Sequence, residues 1–192
     1  MELTGKTVGF ALTGSFCTFS RVFPQAQALK EAGARVIPIF SFNAWSLDTR
    51  FFPAEEVRRR MAEATGEEPL HTLQAVEPFG PQKLLDLLVI APCTGNTLAK
   101  LAAGIADTPV TLAAKSHLRN ERPLLLAVST NDGLAAAARN IGSLLATRHY
   151  YFVPYGQDAP EGKPRSLVAH FEQIPACARL ALEGRQAQPM LQ

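Results

Sequence analysis

Residues 84–91 read LLDLLVIA and residues 92–97 read PCTGNT, and the first of these stretches decides the fold. Only Asp86 interrupts a run that is otherwise apolar. Alternating polarity marks a sheet with one wet face, whereas a continuous apolar run marks a strand covered on both faces, the condition of a parallel sheet. Working outward, residues 124–128 (LLLAV) repeat the pattern, and Lys6–Leu12 and Arg35–Phe40 are further apolar runs of strand length. Pro38 is out of place in an interior strand because it has no N–H for the ladder. A last strand is expected over Tyr150–Pro154.

Helical spacing fills the intervals. It predicts helices over Phe19–Ala32, stopped by Gly33, from Pro53 and its following acids to about Ala64, and over Thr97–Ala106, Pro109–Leu118 and Gly133–Thr147, with a closing helix over Ser166–Glu183. Leu70–Pro81 reads as a crossover loop with a short extended piece. Strands alternating with helices give an α/β fold, a single doubly wound, mostly parallel sheet with helices on both faces. Residues 1–184 form that one domain, and residues 185–192 read as a mobile tail.

Composition narrows the function classes. The chain has 192 residues, 47% of them hydrophobic, and a net charge of +2, enough for a self-sufficient core and too balanced for nucleic acid as the main partner. Three cysteines, Cys17, Cys93 and Cys177, show no CxxC and no zinc-ligand spacing, which reads as reduced thiols without a metal site. No apolar run reaches the roughly 18 residues of a membrane span. A soluble cytoplasmic protein with no membrane partner is expected.

In an open parallel sheet, ligands bind beyond the carboxyl ends of the strands. Those ends here are Thr13-Gly14-Ser15, Ser41, Pro92-Cys-Thr-Gly-Asn-Thr97 and Ser129-Thr-Asn-Asp-Gly133. Small hydroxyl, amide and glycine residues leading into helices suit a phosphate, since glycine admits close backbone approach and a helix N-terminus offers unpaired N–H groups. The same residue types also serve as ordinary helix caps and turns. Walker A and G-x-G-x-x-G patterns are absent. No nucleophile set is readable, so catalytic residues are unassigned. Trp45, Phe51 and Phe52 are candidates either for core packing or for an aromatic wall against a flat ligand.

The segment Ala91–Asp107 (APCTGNTLAKLAAGIAD), with the Gly14-Ser15 turn and the Ser129–Asn131 loop, resembles the flavoprotein family of homo-oligomeric flavin-containing cysteine decarboxylases and flavin prenyltransferases, matching their P-A-S-A-N-T-type motif. Within it the whole chain is similar to one branch, through Thr49-Arg-Phe51, Glu77-Pro-Phe-Gly-Pro81, residues 114–120 (AKSHLRN), Ser129–Asp132 and residues 151–160 (YFVPYGQDAP). The resemblance implies a Rossmann-like, flavodoxin-type fold and an FMN site. It implies a B subunit that works with a separate A subunit, the latter carrying NAD(P), in oxidising the small dicarboxylate dihydrodipicolinate to dipicolinate in the mother-cell cytoplasm of a sporulating bacterium. It also implies a homo-oligomer.

Carried over by position, Gly14, Ser15 and Ser41 face the FMN phosphate, Thr94, Gly95, Asn96 and Thr97 complete the phosphate and ribityl contacts, and Ser129 and Asn131 lie near the isoalloxazine. Pro78 stands where the decarboxylases have a histidine, Ser129 where the prenyltransferases have an arginine, and Gly95 and Thr94 where alanine and serine are more usual. Arg50, Lys115 and Arg119 are candidates for pairing substrate carboxylates. Two alternatives stay open: a stand-alone FMN-dependent decarboxylase or reductase, and a non-catalytic scaffold subunit with a vestigial flavin pocket.

Overall fold

The computed structural model describes residues 3–192. Its strands are β1 (Thr7–Leu12), β2 (Arg35–Phe40), β3 (Leu87–Cys93), β4 (Leu124–Thr130), β5 (Tyr150–Phe152), β6 (Tyr155–Gly156) and β7 (Leu167–Ala169). The helices are α1 (Phe19–Glu31), α2 (Phe42–Ser46), α3 (Ala54–Thr65), α4 (Leu73–Val76), α5 (Gly95–Ala102), α6 (Pro109–Leu118), α7 (Ala136–Leu145) and α8 (Ile174–Leu182). The sheet runs β2-β1-β3-β4-β7-β6, with β5 parallel to the first half of β4. β1, β2, β3 and β4 are mutually parallel, whereas β7 runs antiparallel to the end of β4 and pairs with β6. One layer of helices holds α1, α3 and α8, and the other α4 to α7.

The continuous apolar runs are the innermost strands. Every residue of β3 is buried, as are the first six of β4, because helices cover both faces. Phe10, Phe19, Phe40, Phe152 and Phe171 are the largest fully buried side chains. Pro38 fits because β2 is an edge strand. Its carbonyl and the Phe40 N–H face outward, bonded to Leu70 at 2.9 and 2.7 Å, so the N–H that proline lacks would have pointed away from β1.

Four expected boundaries differ. β3 continues through Pro92 to Cys93 instead of turning at Ala91, because Thr13 clips the two strand ends together: its hydroxyl donates to the Pro92 carbonyl at 2.6 Å and accepts from the Thr94 N–H at 3.1 Å. α5 starts at Gly95 and ends at Ala102, short of Gly104 with its φ of +71°. The closing helix over Ser166–Glu183 is confined to Ile174–Leu182; Leu167–Ala169 is strand, since pairing with the exposed end of β4 satisfies its backbone. Residues 185–192 are placed against β6 and are not a free end. The Tyr155 N–H donates to the Met190 carbonyl at 3.0 Å, Gln186 brackets Phe152 with bonds of 2.8 and 2.7 Å, and Ala187 is buried.

His117 in α6 is 1% exposed, with Nε2 2.7 Å from the Pro123 carbonyl oxygen. Burial lowers its pKa to about 4, outweighing that hydrogen bond. The folded state therefore disfavours the imidazolium, and the stabilisation is complete above the ordinary histidine value and is lost as pH falls towards 4, amounting to about 3 kcal/mol. Thermal unfolding of the wild type should steepen between pH 6.5 and 4 relative to His117→Gln; parallel curves would show that His117 titrates normally.

Candidate functional site

The carboxyl ends of β1, β3 and β4 open into a cleft of about 930 Å³. Gly14, Ser15, Thr94, Gly95, Asn96, Ser129 and Asn131, all anticipated from the sequence, line it together. The strand order brings them there: β1 and β3 are neighbours whose chains leave in opposite directions, the crevice at which a doubly wound sheet binds its ligand. Ser15 and Ser129 meet across the floor, hydroxyl to hydroxyl, at 2.7 Å. Among the described residues, the side-chain amides of Asn96 and Asn131 make no hydrogen bond within the protein, so both remain available to a ligand.

Ser41 and Thr97 do not reach the cleft wall. The Ser41 hydroxyl caps α2 by accepting from the Ala44 N–H at 3.3 Å. Thr97 is 8% exposed, and its hydroxyl is held by that of Thr94 at 3.0 Å, behind the α5 cap that Thr94 itself forms. Of the aromatic trio only Phe51 lines the cleft; Trp45 stacks on His71 at 3.6 Å and Phe52 packs edge-on against Phe23. Lys115 and Arg119 sit at the end of α6, Arg119 against Gly80, and Arg50 lies 4.9 Å over the Phe51 ring.

The charged residues of the cleft are ones that sequence reading missed: Arg21, Asp132, Asp158 and Lys163. Asp132 had a local signal, standing inside the β4 loop. Asp158 lies in the branch-specific segment 151–160 without a role attached to it, and Lys163 has no local signal, because both reach the cleft from the β6–β7 connection. Burial opposes ionisation of Asp158, but a hydrogen bond from Ser166 and the Lys163 ammonium outweigh it and hold its carboxyl below the ordinary value. Cys93 lies fully buried beneath the cleft; burial pushes its thiol far up, which removes it as a nucleophile. No histidine lines the cleft among the described residues.

Gly95 has a steric reason. A Cβ there would lie 2.6 Å from Thr130 Oγ1 and 2.7 Å from Asp132 Oδ1, two atoms already hydrogen-bonded to each other. Gly95→Ala must displace the Thr130 and Asp132 side chains and disturb their hydrogen bond, and a loss of about 1–3 kcal/mol in urea unfolding is expected. An unchanged midpoint would mean that the loop yields freely.

The flavoprotein family profile matches residues 1–144. The chain belongs to the flavoprotein family. The dipicolinate synthase B subunit of Bacillus subtilis is 44% identical over 190 residues, covering 99% of this chain and 95% of that protein. The structure of the corresponding B subunit of dipicolinate synthase from Bacillus halodurans superposes with a TM-score of 0.92 at 44% identity, over 100% of this chain and 98% of the other. The FMN-dependent cysteine decarboxylase SpaF shares the fold, with a TM-score of 0.70 at 22% identity over 93% of this chain and 98% of its own. The flavodoxin-type expectation is met by the β2-β1-β3-β4-β5 core. No helix of the described residues is long and apolar enough to cross a membrane.

The residues present fit FMN. Hydroxyl and amide donors suit its phosphate and ribityl chain, and Phe51 offers a ring face. The Asp132 carboxylate favours hydroxyl groups over a phosphate, whereas that of Asp158 is offset by the Lys163 ammonium at 3.3 Å, and Arg21 is the cation beyond the Gly14-Ser15 turn.

Proposed function

We propose that this chain is the B subunit of a two-subunit dipicolinate synthase, acting with the dipicolinate synthase A subunit to oxidise dihydrodipicolinate to dipicolinate in the mother cell of a sporulating bacterium. The observation that carries the reading is the 44% identity to the Bacillus subtilis protein over 99% of the chain, at full length on both sides. The convergence of seven expected cofactor residues in one cleft supports an FMN site there.

Ser15, Gly14 and Arg21 hold the phosphate; Thr94, Asn96 and Asp132 take the ribityl hydroxyls; Ser129 and Asn131 orient the ring. When bound, the flavin supplies a flat redox-active surface. Forming the aromatic pyridine removes a hydride and a proton from the substrate, and NAD(P) on the A subunit is the hydride acceptor. The chain's own task is to bind the dicarboxylate beside the ring and exclude water. A stand-alone decarboxylase of the imidazole-dependent kind is disfavoured, because Pro78 sits in the helical turn before β3 and no described histidine faces the cleft.

The test is reconstitution. Purified chain added to the A subunit should raise the rate of dipicolinate formation at least tenfold, with saturable FMN binding followed by flavin fluorescence. If the A subunit's rate and substrate affinity stay the same with and without this chain, the assignment is wrong; if FMN does not bind while the rate rises, the scaffold role stands instead.

A further inference from the structure

The two positive side chains of the cleft enter it from opposite sides of the sheet order. Arg21 stands in the first turn of α1, just beyond the Gly14-Ser15 loop, on the β1 side. Among the described residues its ion partner is an exposed Glu172 carboxylate at 3.4 Å, and its guanidinium lies 5.1 Å over the Phe171 ring, contacts for which a phosphate in that loop would compete. Lys163 enters from the far side. It belongs to the β6–β7 loop, and β7 pairs with the last residues of β4, Ser129 opposite Val168 and Thr130 opposite Leu167. Both cations line one cleft, Arg21 from the β1 side and Lys163 from the β7 side.

The loop presents Lys163 firmly. Its N–H donates to the Ala159 carbonyl at 2.6 Å and its carbonyl accepts from the Ser166 N–H at 3.0 Å. Ser166, 4% exposed, anchors the loop base to the Thr130 carbonyl at 3.4 Å, and Gln157 closes the other side onto the Pro164 carbonyl at 2.9 Å. The ammonium is 3.3 Å from the Asp158 carboxylate. An ammonium has three donors and Asp158 takes one, so two remain to face an incoming anion.

We propose that Lys163 is the specificity-determining cation that receives a carboxylate of the pyridine dicarboxylate beside the flavin ring. The proposal rests on the flavin reading above for the direction in which the ligand lies. It replaces Lys115 and Arg119, which the fold keeps away from the cleft, with a residue that no local motif marks. A charge-assisted hydrogen bond to a carboxylate is lost outright when the ammonium becomes a methyl group.

The experiment measures binding of dipicolinate and of its uncharged isostere, pyridine-2,6-dicarboxamide, to the full chain with and without FMN. In the wild type, dipicolinate should bind at least tenfold more tightly than the diamide. Lys163→Met should erase that preference, weakening dipicolinate about tenfold or more and the diamide hardly at all, while Lys163→Arg restores part of it. Lys163 is on an exposed loop, and equal FMN affinity in all three proteins would confirm intact folding. Equal loss for both ligands, retention of the preference in Lys163→Met, or no dipicolinate binding in either state overturns the proposal. Absence of FMN binding by the wild type overturns the flavin reading instead, and the Lys163 dependence of dipicolinate binding is still read without FMN.

Discussion

Ser15→Asp is expected to lower FMN affinity about a hundredfold and riboflavin affinity only slightly. The Ser15 hydroxyl is 2.7 Å from that of Ser129, and a carboxylate at the same place keeps an acceptor for that hydroxyl, so the β1 and β4 ends stay joined. What changes is charge. A carboxylate about 5 Å from a phosphate repels it by about 3 kcal/mol per unit charge at an effective dielectric constant of 20, which is roughly two decades in affinity. Riboflavin has no phosphate and escapes this penalty. Flavin fluorescence titrations of both ligands check the result. Equal losses would mean that the phosphate is held elsewhere; raising salt should recover part of the FMN loss and none of the riboflavin affinity.

Phe10→Ala is expected to destabilise the protein by about 3–5 kcal/mol, a large share of the 5–15 kcal/mol that holds a domain of this size. Phe10 is fully buried in β1, paired with Pro38 of β2 and Val89 of β3, so no solvent-facing side exists through which the cavity could collapse. Urea unfolding should show a lower midpoint with an unchanged slope. A loss below 1 kcal/mol would contradict the position of β1 inside the sheet.

Much of the architecture was legible because it is written locally. The apolar run around Leu87–Ile90 can only be a strand covered twice, and Leu124–Val128 repeats it; helices α1, α3 and α6 announce themselves by spacing and stops. The cleft residues were legible for a related reason. A strand end in a parallel sheet is a binding position whatever its partners are, so Gly14, Ser15, Thr94, Asn96, Ser129 and Asn131 could be named before their neighbours were known. Ser41 and Thr97 satisfied the same rule and do not line the cleft. A Ser or Thr at a helix start serves equally as a cap, and both here turn their hydroxyls to the helix.

The antiparallel β6–β7 hairpin escaped because two- and three-residue strands carry no periodicity, and residues 167–169 acquire their strand character only from the open end of β4 beside them. With it escaped Asp158, Lys163 and Ser166. The end of the chain escaped likewise, since its hydrogen bonds to Tyr155 and Phe152 join segments that local reading treats as independent.

By itself, then, the sequence determined the parallel sheet, its covered faces, the family and the strand ends that are candidates for a ligand, because each follows from hydrophobic pattern or from contiguous motif residues. Only the tertiary structure decided which of those ends converge, which hydroxyls are spent on helix caps, and which charges enter the cleft. Those depend on strand order and on contacts between residues far apart in the chain, such as Ser15 with Ser129 and the Lys163 loop with Thr130, which no local pattern encodes.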